Sequence, residues 1–216
     1  FAMVIRTGMV MDPRKQRTVD ALIEAAEQIF ATHTVDEVTV EQIAATAKVS
    51  VASIYNHFGS KAGLHAAVVQ RALAVDKGFM DLAYVPGRTP EDQVTAAAEQ
   101  YLQFYLNHPD FFRMLAFPAD PGQYPAGHEA ADRLAESVAE QNARLANAVG
   151  AGIKFGLVRP LDPAAVATVL WAAWNGIISL AWRQDSLRCN ESELRSLLAT
   201  ASDIIANGLR QPPSSS

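Results

Sequence analysis

The sequence predicts an all-α protein of about nine helices, and three observations point to it. Helix-start signals recur along the chain, and the apolar residues between them repeat at helical spacing. No segment alternates apolar and polar residues as a half-buried strand would. Alanine, leucine and glutamate are plentiful while Gly (12) and Pro (11) are modest, a composition that favours helices.

Asp12-Pro13 supplies an N-cap followed by proline at the first helical position. Behind it Val19, Leu22, Ile23, Ala26, Ile29 and Phe30 form one apolar stripe. Thr39-Val40-Glu41-Gln42 is a capping box, in which the threonine hydroxyl accepts from the Gln42 amide while the Gln42 side chain reaches back. Ser50 and Ser60 are the next two caps, only ten residues apart, which leaves room for one short helix and a tight turn. The helix that starts at Ser60 should run to about Met80. Thr89-Pro90-Glu91-Asp92 opens another, with acids in its first turn where the helix dipole favours them. Pro109 opens a short aromatic segment over 111–117, and the Pro- and Gly-rich stretch 118–127 reads as a loop. A long helix is expected over about 129–155, ending near Gly156. Asp162-Pro163 caps a helix reaching 183, and Asn190-Glu191-Ser192-Glu193 caps the last, which carries Leu194, Leu197, Leu198, Ala201, Ile204, Ile205 and Leu209. The first three helices should form a small domain, continuous with a larger bundle through the helix starting at Ser60.

The 216 residues suffice for one domain or two small ones sharing a core. Half the residues are apolar and 19% are charged, as in ordinary soluble proteins. Cys189 is the single cysteine, so an internal disulfide and a thiolate zinc site are excluded, which fits a cytoplasmic setting. The longest apolar stretch, 164–182, is interrupted by Asn175, Gly176 and Ser179 and reads as a helix buried on two sides rather than a membrane span. The N-terminus lacks the charged-then-apolar layout of a signal peptide, and Phe1 and Ala2 precede Met3, where a natural start is expected. Enzyme signatures are missing: there is no Gly-rich phosphate loop, no nucleophile elbow and no metal-spaced pair among His33, His57, His65, His108 and His128. No catalytic residue, metal ligand or cofactor is therefore expected.

A net charge of −5 and a pI near 5.5 argue against nucleic acid when taken as totals. The distribution reverses that. Residues 42–75 contain no Asp or Glu, yet include Lys48, Lys61 and Arg71, with His57 and His65 as further donors. Arg6, Arg14, Lys15 and Arg17 lie in or just after the N-terminal arm. Contact with phosphate is local, so a basic face on an acidic protein suffices.

The window 39–64, TVEQIAATAKVSVASIYNHFGSKAGL, has helix-turn-helix spacing. Val40, Ile43, Ala44 and Ala47 make one face of a two-turn helix, Val49 falls in the turn, and Ile54 and Phe58 face inward from a second short helix. Ser50, Val51, Ala52 and Ser53 are small enough to let the backbone enter a major groove. Tyr55, Asn56, His57 and Lys61 have the reach for flanking phosphates, and Thr39 opens a helix whose amides face the same way. Tyr55 and Phe58 would equally suit the core of a plain bundle, and a helical binding or interaction protein without DNA is the alternative.

The run Ile54-Tyr55-Asn56-His57-Phe58-x-Ser60-Lys61-x-x-Leu64, with Phe30…Val38-Thr39-Val40-x-x-Ile43-Ala44 before it, resembles the signature of TetR-family regulators over residues 19–68. The resemblance implies a DNA-binding head over 12–60, a helical ligand-binding and dimerisation body over 61–210, and flexible tails at 1–11 and 211–216. It implies a homodimer formed by the last two long helices, and most commonly a repressor released from operator DNA by a small molecule. Thr39, Tyr55 and Lys61 correspond to the family's phosphate contacts, Ser50, Val51, Ala52 and Ser53 to base-facing positions, and Asn56 and His57 to flanking ones. The family usually has glycine in the turn where this chain has Lys48. If that backbone needs a positive φ, lysine costs about 1 kcal/mol there while placing a charge near DNA.

Aromatic residues cluster in the body, and Tyr101, Phe104, Phe112, Trp171, Trp174 and Asn175 are the expected lining of a largely apolar effector cavity. Asn175, set among Trp171, Trp174, Ile177 and Ile178, wants a partner if buried: a ligand, a second protomer or a backbone carbonyl. His108 and Arg113 flank the aromatic segment, where they would meet a polar ligand or solvent. On the helix starting at Pro163, Val166, Leu170, Ala173, Ile177 and Leu180 suit the protomer's own core. Ala164, Thr168, Trp171, Ile178 and Trp182 would then face a second copy.

Overall fold

The computed structural model describes residues 12–30, 32, 33, 36–116 and 128–210. The arm, the 118–127 loop and the C-terminal tail expected from the sequence lie outside these. Among the described residues there are nine α-helices, no strand and one isolated bridge, Val158 to Arg210. The helices are α1 (Pro13–Phe30), α2 (Val40–Thr46), α3 (Val51–Phe58), α4 (Lys61–Asp81), α5 (Pro90–Asn107), α6 (Pro109–Ala116), α7 (His128–Lys154), α8 (Pro163–Ser179) and α9 (Glu191–Leu209).

The start signals work as read. Thr39 and Gln42 close a reciprocal capping box on α2, and Asn190 and Glu193 close another on α9. Ser60, Thr89 and Asp162 each accept a backbone amide from the first turn of their helix. Ser50 is the exception: it occupies the N-cap position of α3 but makes no capping bond, and its hydroxyl lies 3.0 Å from that of Ser53.

Helices α1 to α3 pack around Leu22, Ala26, Val38, Ile43 and Ile54, all at most 2% exposed. Helix α4 spans ~30 Å at 1.5 Å per residue and packs against α1 and α3 at the head and α5, α6 and α7 in the body. Every fourth residue along it, Leu64, Val68, Ala72, Asp76 and Met80, is buried, so one stripe serves both cores. The two cores are accordingly one continuous cluster that runs on to Leu194 and Leu198 of α9.

Helix α8 departs from expectation in length and in phase. It gives way at Leu180 to a turn of 3₁₀ helix, Leu180–Trp182, rather than continuing to 183. Its buried face is Ala167, Leu170, Trp174, Asn175 and Ile178. Ile178 therefore belongs to the protomer's own core, and Trp171 is half-buried over the body's interior. The solvent face is Ala165, Thr168, Val169, Ala172 and Gly176. By length and composition Pro163–Trp182 also reaches the apolarity of a membrane span, with a mean hydropathy of 1.6, which the interrupting polar residues had seemed to preclude. Only 28% of its 18-residue window is buried in one protomer, so it is not covered on two sides there.

Candidate nucleic-acid interface and effector cavity

The turn between α2 and α3 is a Schellman motif. The Val49 amide donates to Ala44 and the Lys48 amide to Ala45, closing the last carbonyls of α2. Lys48 sits at the left-handed position with φ 56°, the one non-glycine residue with positive φ among those described. The backbone conformation that glycine usually supplies is thus adopted by a lysine whose side chain is exposed beside the start of α3. At the other end of α3, Gly59 takes φ 74° and Gly63 comes so close that a Cβ would lie 2.1 Å from the Phe58 carbonyl. That close approach sets the angle at which α3 leaves the body.

Of the expected DNA contacts, Thr39, Lys48, Ser50, Ala52, Tyr55 and Asn56 are exposed, while Val51, Ser53, His57 and Lys61 are half-buried. Tyr55 is 52% exposed, which removes the core-aromatic reading for it, whereas Ile54 is fully buried beneath it. Lys61 donates from Nζ to the Val38 carbonyl at 2.8 Å, so it also ties the loop before α2 to α4. Arg71 lies 3.9 Å from Glu24 of α1 and contributes to the joint between head and body rather than to the basic face.

In the body, five of the six expected lining residues, Tyr101, Phe104, Phe112, Trp171 and Trp174, surround a cavity of about 40 Å³. Asn175 does not line it. Its Oδ1 accepts from the Tyr101 hydroxyl at 2.9 Å and its Nδ2 donates to the Trp171 carbonyl at 3.0 Å, so its partners are internal. His108 stacks on Phe111 and Arg113 lies over the Trp182 ring, both away from the cavity. The polar side of the lining was not foreseen: Asp76, Tyr84, Gln141 and Asn142. The signal for Asp76 lay in the four-residue spacing of α4, which puts an acid in line with Leu64, Val68, Ala72 and Met80. Burial pushes the Asp76 carboxyl up to about 7 against the pull of Arg144, and pushes Tyr84 up to about 12. A larger hollow of about 400 Å³ lies at the far end of the bundle, between Val94 of α5, Gly152 of α7 and Ile205 and Leu209 of α9.

Two family descriptions match this architecture. "Bacterial regulatory proteins, tetR family" covers residues 22–68, and "Tetracyclin repressor-like, C-terminal domain" covers residues 94–202, half of the chain. The HTH-type transcriptional repressor SCO4008 of Streptomyces coelicolor is 28% identical over 150 residues, 69% of this chain and 71% of its own. A TetR-family regulator from a Rhodococcus species shares the fold with a TM-score of 0.71 at 20% identity, covering 88% of this chain and 98% of that one. SmeT, the repressor of the Stenotrophomonas maltophilia multidrug efflux pump SmeDEF, does so with a TM-score of 0.68 at 19% identity, covering 92% and 93%. With its head and its body each matched, the chain belongs to the TetR family of DNA-binding transcriptional regulators.

Proposed function

We propose that this regulator is a homodimeric repressor that acts on operator DNA in the cytoplasm and is released by a small-molecule effector, with no catalytic step. The observation that supports it most is the solvent-facing row of Lys48, Ser50, Ala52, Tyr55 and Asn56 within the stretch 42–75, which holds no Asp or Glu. In this reading Thr39, Lys48, Tyr55 and Lys61 hold phosphates, Ser50, Val51, Ala52 and Ser53 face base edges, and Asn56 and His57 flank them. The DNA-binding head comprises 12–60 and the effector and dimer body 61–210.

Dimerisation is supported by two exposed apolar stripes. On α8 it is Ala165, Val169, Ala172 and Gly176; on α9 it is Leu197, Ile204 and Gly208. Val169 is 58% and Ile204 65% exposed in one protomer. A Cβ at Gly176 or Gly208 would meet nothing within 4 Å. The protomer itself does not need glycine there, whereas a second helix approaching closely would.

Selecting genomic fragments with the purified protein and retesting them by mobility shift examines the reading. One or a few promoter fragments should be retained at physiological salt, with Lys48→Ala and Tyr55→Phe each weakening retention several-fold. Uniform weak retention of all DNA would leave a basic surface without an operator, and no retention would return the chain to a binding protein without DNA.

A further inference from the structure

Five buried polar atoms that have no hydrogen-bond partner belong to residues lining the cavity beside Trp174: Asp76 Oδ1, Tyr84 Oη, Gln141 Nε2, Asn142 Oδ1 and Trp174 Nε1. Polar groups are rarely buried unpaired, so several around one hollow describe the complement of a polar ligand. Their chemistry is defined by their neighbours. Asn142 donates from Nδ2 to Thr168 Oγ1 at 3.1 Å, and that hydroxyl donates onward to the Ala164 carbonyl, so Asn142 presents Oδ1 as an acceptor. Gln141 accepts an Arg144 N–H at Oε1, at 3.3 Å, and so presents Nε2 as a donor. Asp76 is 8% exposed, and the nearby Arg144 is engaged by Asp81 at 2.8 Å and lies over the Tyr84 ring. The remaining walls are largely apolar, the rings of Tyr101, Phe104, Phe112, Trp171 and Trp174 together with aliphatic side chains of α4, α6 and α7.

We propose that the effector is an organic ammonium ion, a protonated amine on an apolar or aromatic frame, whose N–H groups are accepted by the Asp76 carboxylate and the Asn142 carbonyl. This rests on the body being the effector-binding part of the regulator. Gln141 Nε2 and Trp174 Nε1 meet an acceptor atom of the same ligand, and the aromatic walls favour a cation over a neutral group. An anion would face a carboxylate and a carbonyl. The cavity of about 40 Å³ seats the ammonium head, whereas drug-sized ligands occupy roughly 300 Å³ or more. A larger frame therefore has to part α4, which carries Asp76, from α7, which carries Gln141 and Asn142. Because α4 also carries the DNA head, such a ligand selects a different placement of the head.

Burial holds Asp76 near 7 and pushes both neighbouring tyrosines, Tyr101 on α5 and Tyr84, far above that pH; the other charged group beside it is the guanidinium of Arg144 on α7. A cation favours the ionised carboxylate, so binding below pH 7 should release a proton. The test is calorimetric titration of the full-length protein with benzylamine, benzyl alcohol and phenylacetate, alongside a mobility shift on a selected operator fragment. Benzylamine should bind at least ten-fold more tightly than benzyl alcohol, with buffer-dependent heat at pH 6 showing proton release, and should weaken operator binding. Asp76→Asn should remove the preference for the amine and leave affinity for the alcohol within about two-fold. The proton-release measurement needs no variant, so it decides the matter even if that substitution unfolds the body. Equal affinities, tighter phenylacetate, no heat from any probe as expected of a cavity that only holds water, or amine binding that leaves operator affinity unchanged would each overturn the proposal. Operator binding that survives while the amine fails would overturn the effector class and leave the regulator intact; loss of operator binding by the unliganded protein would overturn the regulator reading itself.

Discussion

At the scale of single residues, Lys48 and Asp76 are both held where ordinary preference would not put them. Lys48 occupies a left-handed position at φ 56°, so Lys48→Gly should raise unfolding stability by about 1 kcal/mol while weakening DNA binding, a combination that denaturant melts and mobility shifts together reveal. Reduced stability would mean that the lysine side chain makes a compensating contact. Asp76 is a buried acid whose carboxyl is pushed up to about 7 from the ordinary 3.8. A raised carboxyl pKa leaves the fold unpenalised below about pH 4, and stability is lost as pH rises through 7 and stays lost above it. The full penalty is on the order of 4 kcal/mol. Asp76→Asn should thus gain several degrees in melting temperature over the parent at pH 8 relative to its gain at pH 5. A difference that does not change with pH would contradict a buried, reluctant carboxylate. His65 runs the other way: burial holds it down at about 4, so its contribution is lost as pH falls from about 6.5 towards 4, and because parent and Asp76→Asn share it, it cancels from their difference at each pH. The turn lysine was legible because a missing glycine marks the place where positive φ is needed. For Asn175 the sequence shows that a buried amide needs a partner, and the backbone carbonyl it allowed for is that of Trp171, but it does not show that Tyr101, seventy-four positions earlier, donates to it.

At the scale of elements, helix starts were readable because caps are local chemistry. Thr39 with Gln42 and Asn190 with Glu193 act over three residues, within one turn. The phase of α8 was not readable. Its sequence is apolar nearly all round, with buried Ile178 next to half-buried Ile177, so periodicity gives no unique face. Which side meets the core is decided by α7 and α5, packed against it from distant parts of the chain. The dimer prediction changes accordingly. Val169→Asp combined with Ile204→Asp should give a folded monomer in sedimentation, since both side chains are more than half exposed in one protomer. Ile178→Asp should instead unfold the body, because a carboxylate there has no water. A dimer that survives the double substitution would place the interface elsewhere.

At the scale of the whole molecule, α4 joins a rigid head to a body whose cavity it lines. A two-fold dimer reads half-sites about 34 to 36 Å apart, so a shift of α4 in each protomer moves two recognition helices at once. The aromatic part of the body's cavity followed from the sequence, but its polar lining comes from α4, α7 and the segment after α4, which only the fold brings together. In the proposed function this molecule binds DNA as a pair of helix-turn-helix heads through a small basic face. The salt dependence of operator binding by the intact protein, with stoichiometry read in the same anisotropy titration, tests that most directly. Two protomers should occupy each operator site, and the log–log slope should flatten by roughly one unit for each protomer's lost contact in Lys48→Ala, that is about two per dimer. A slope unchanged by that substitution, or a single protomer saturating the site, would contradict it.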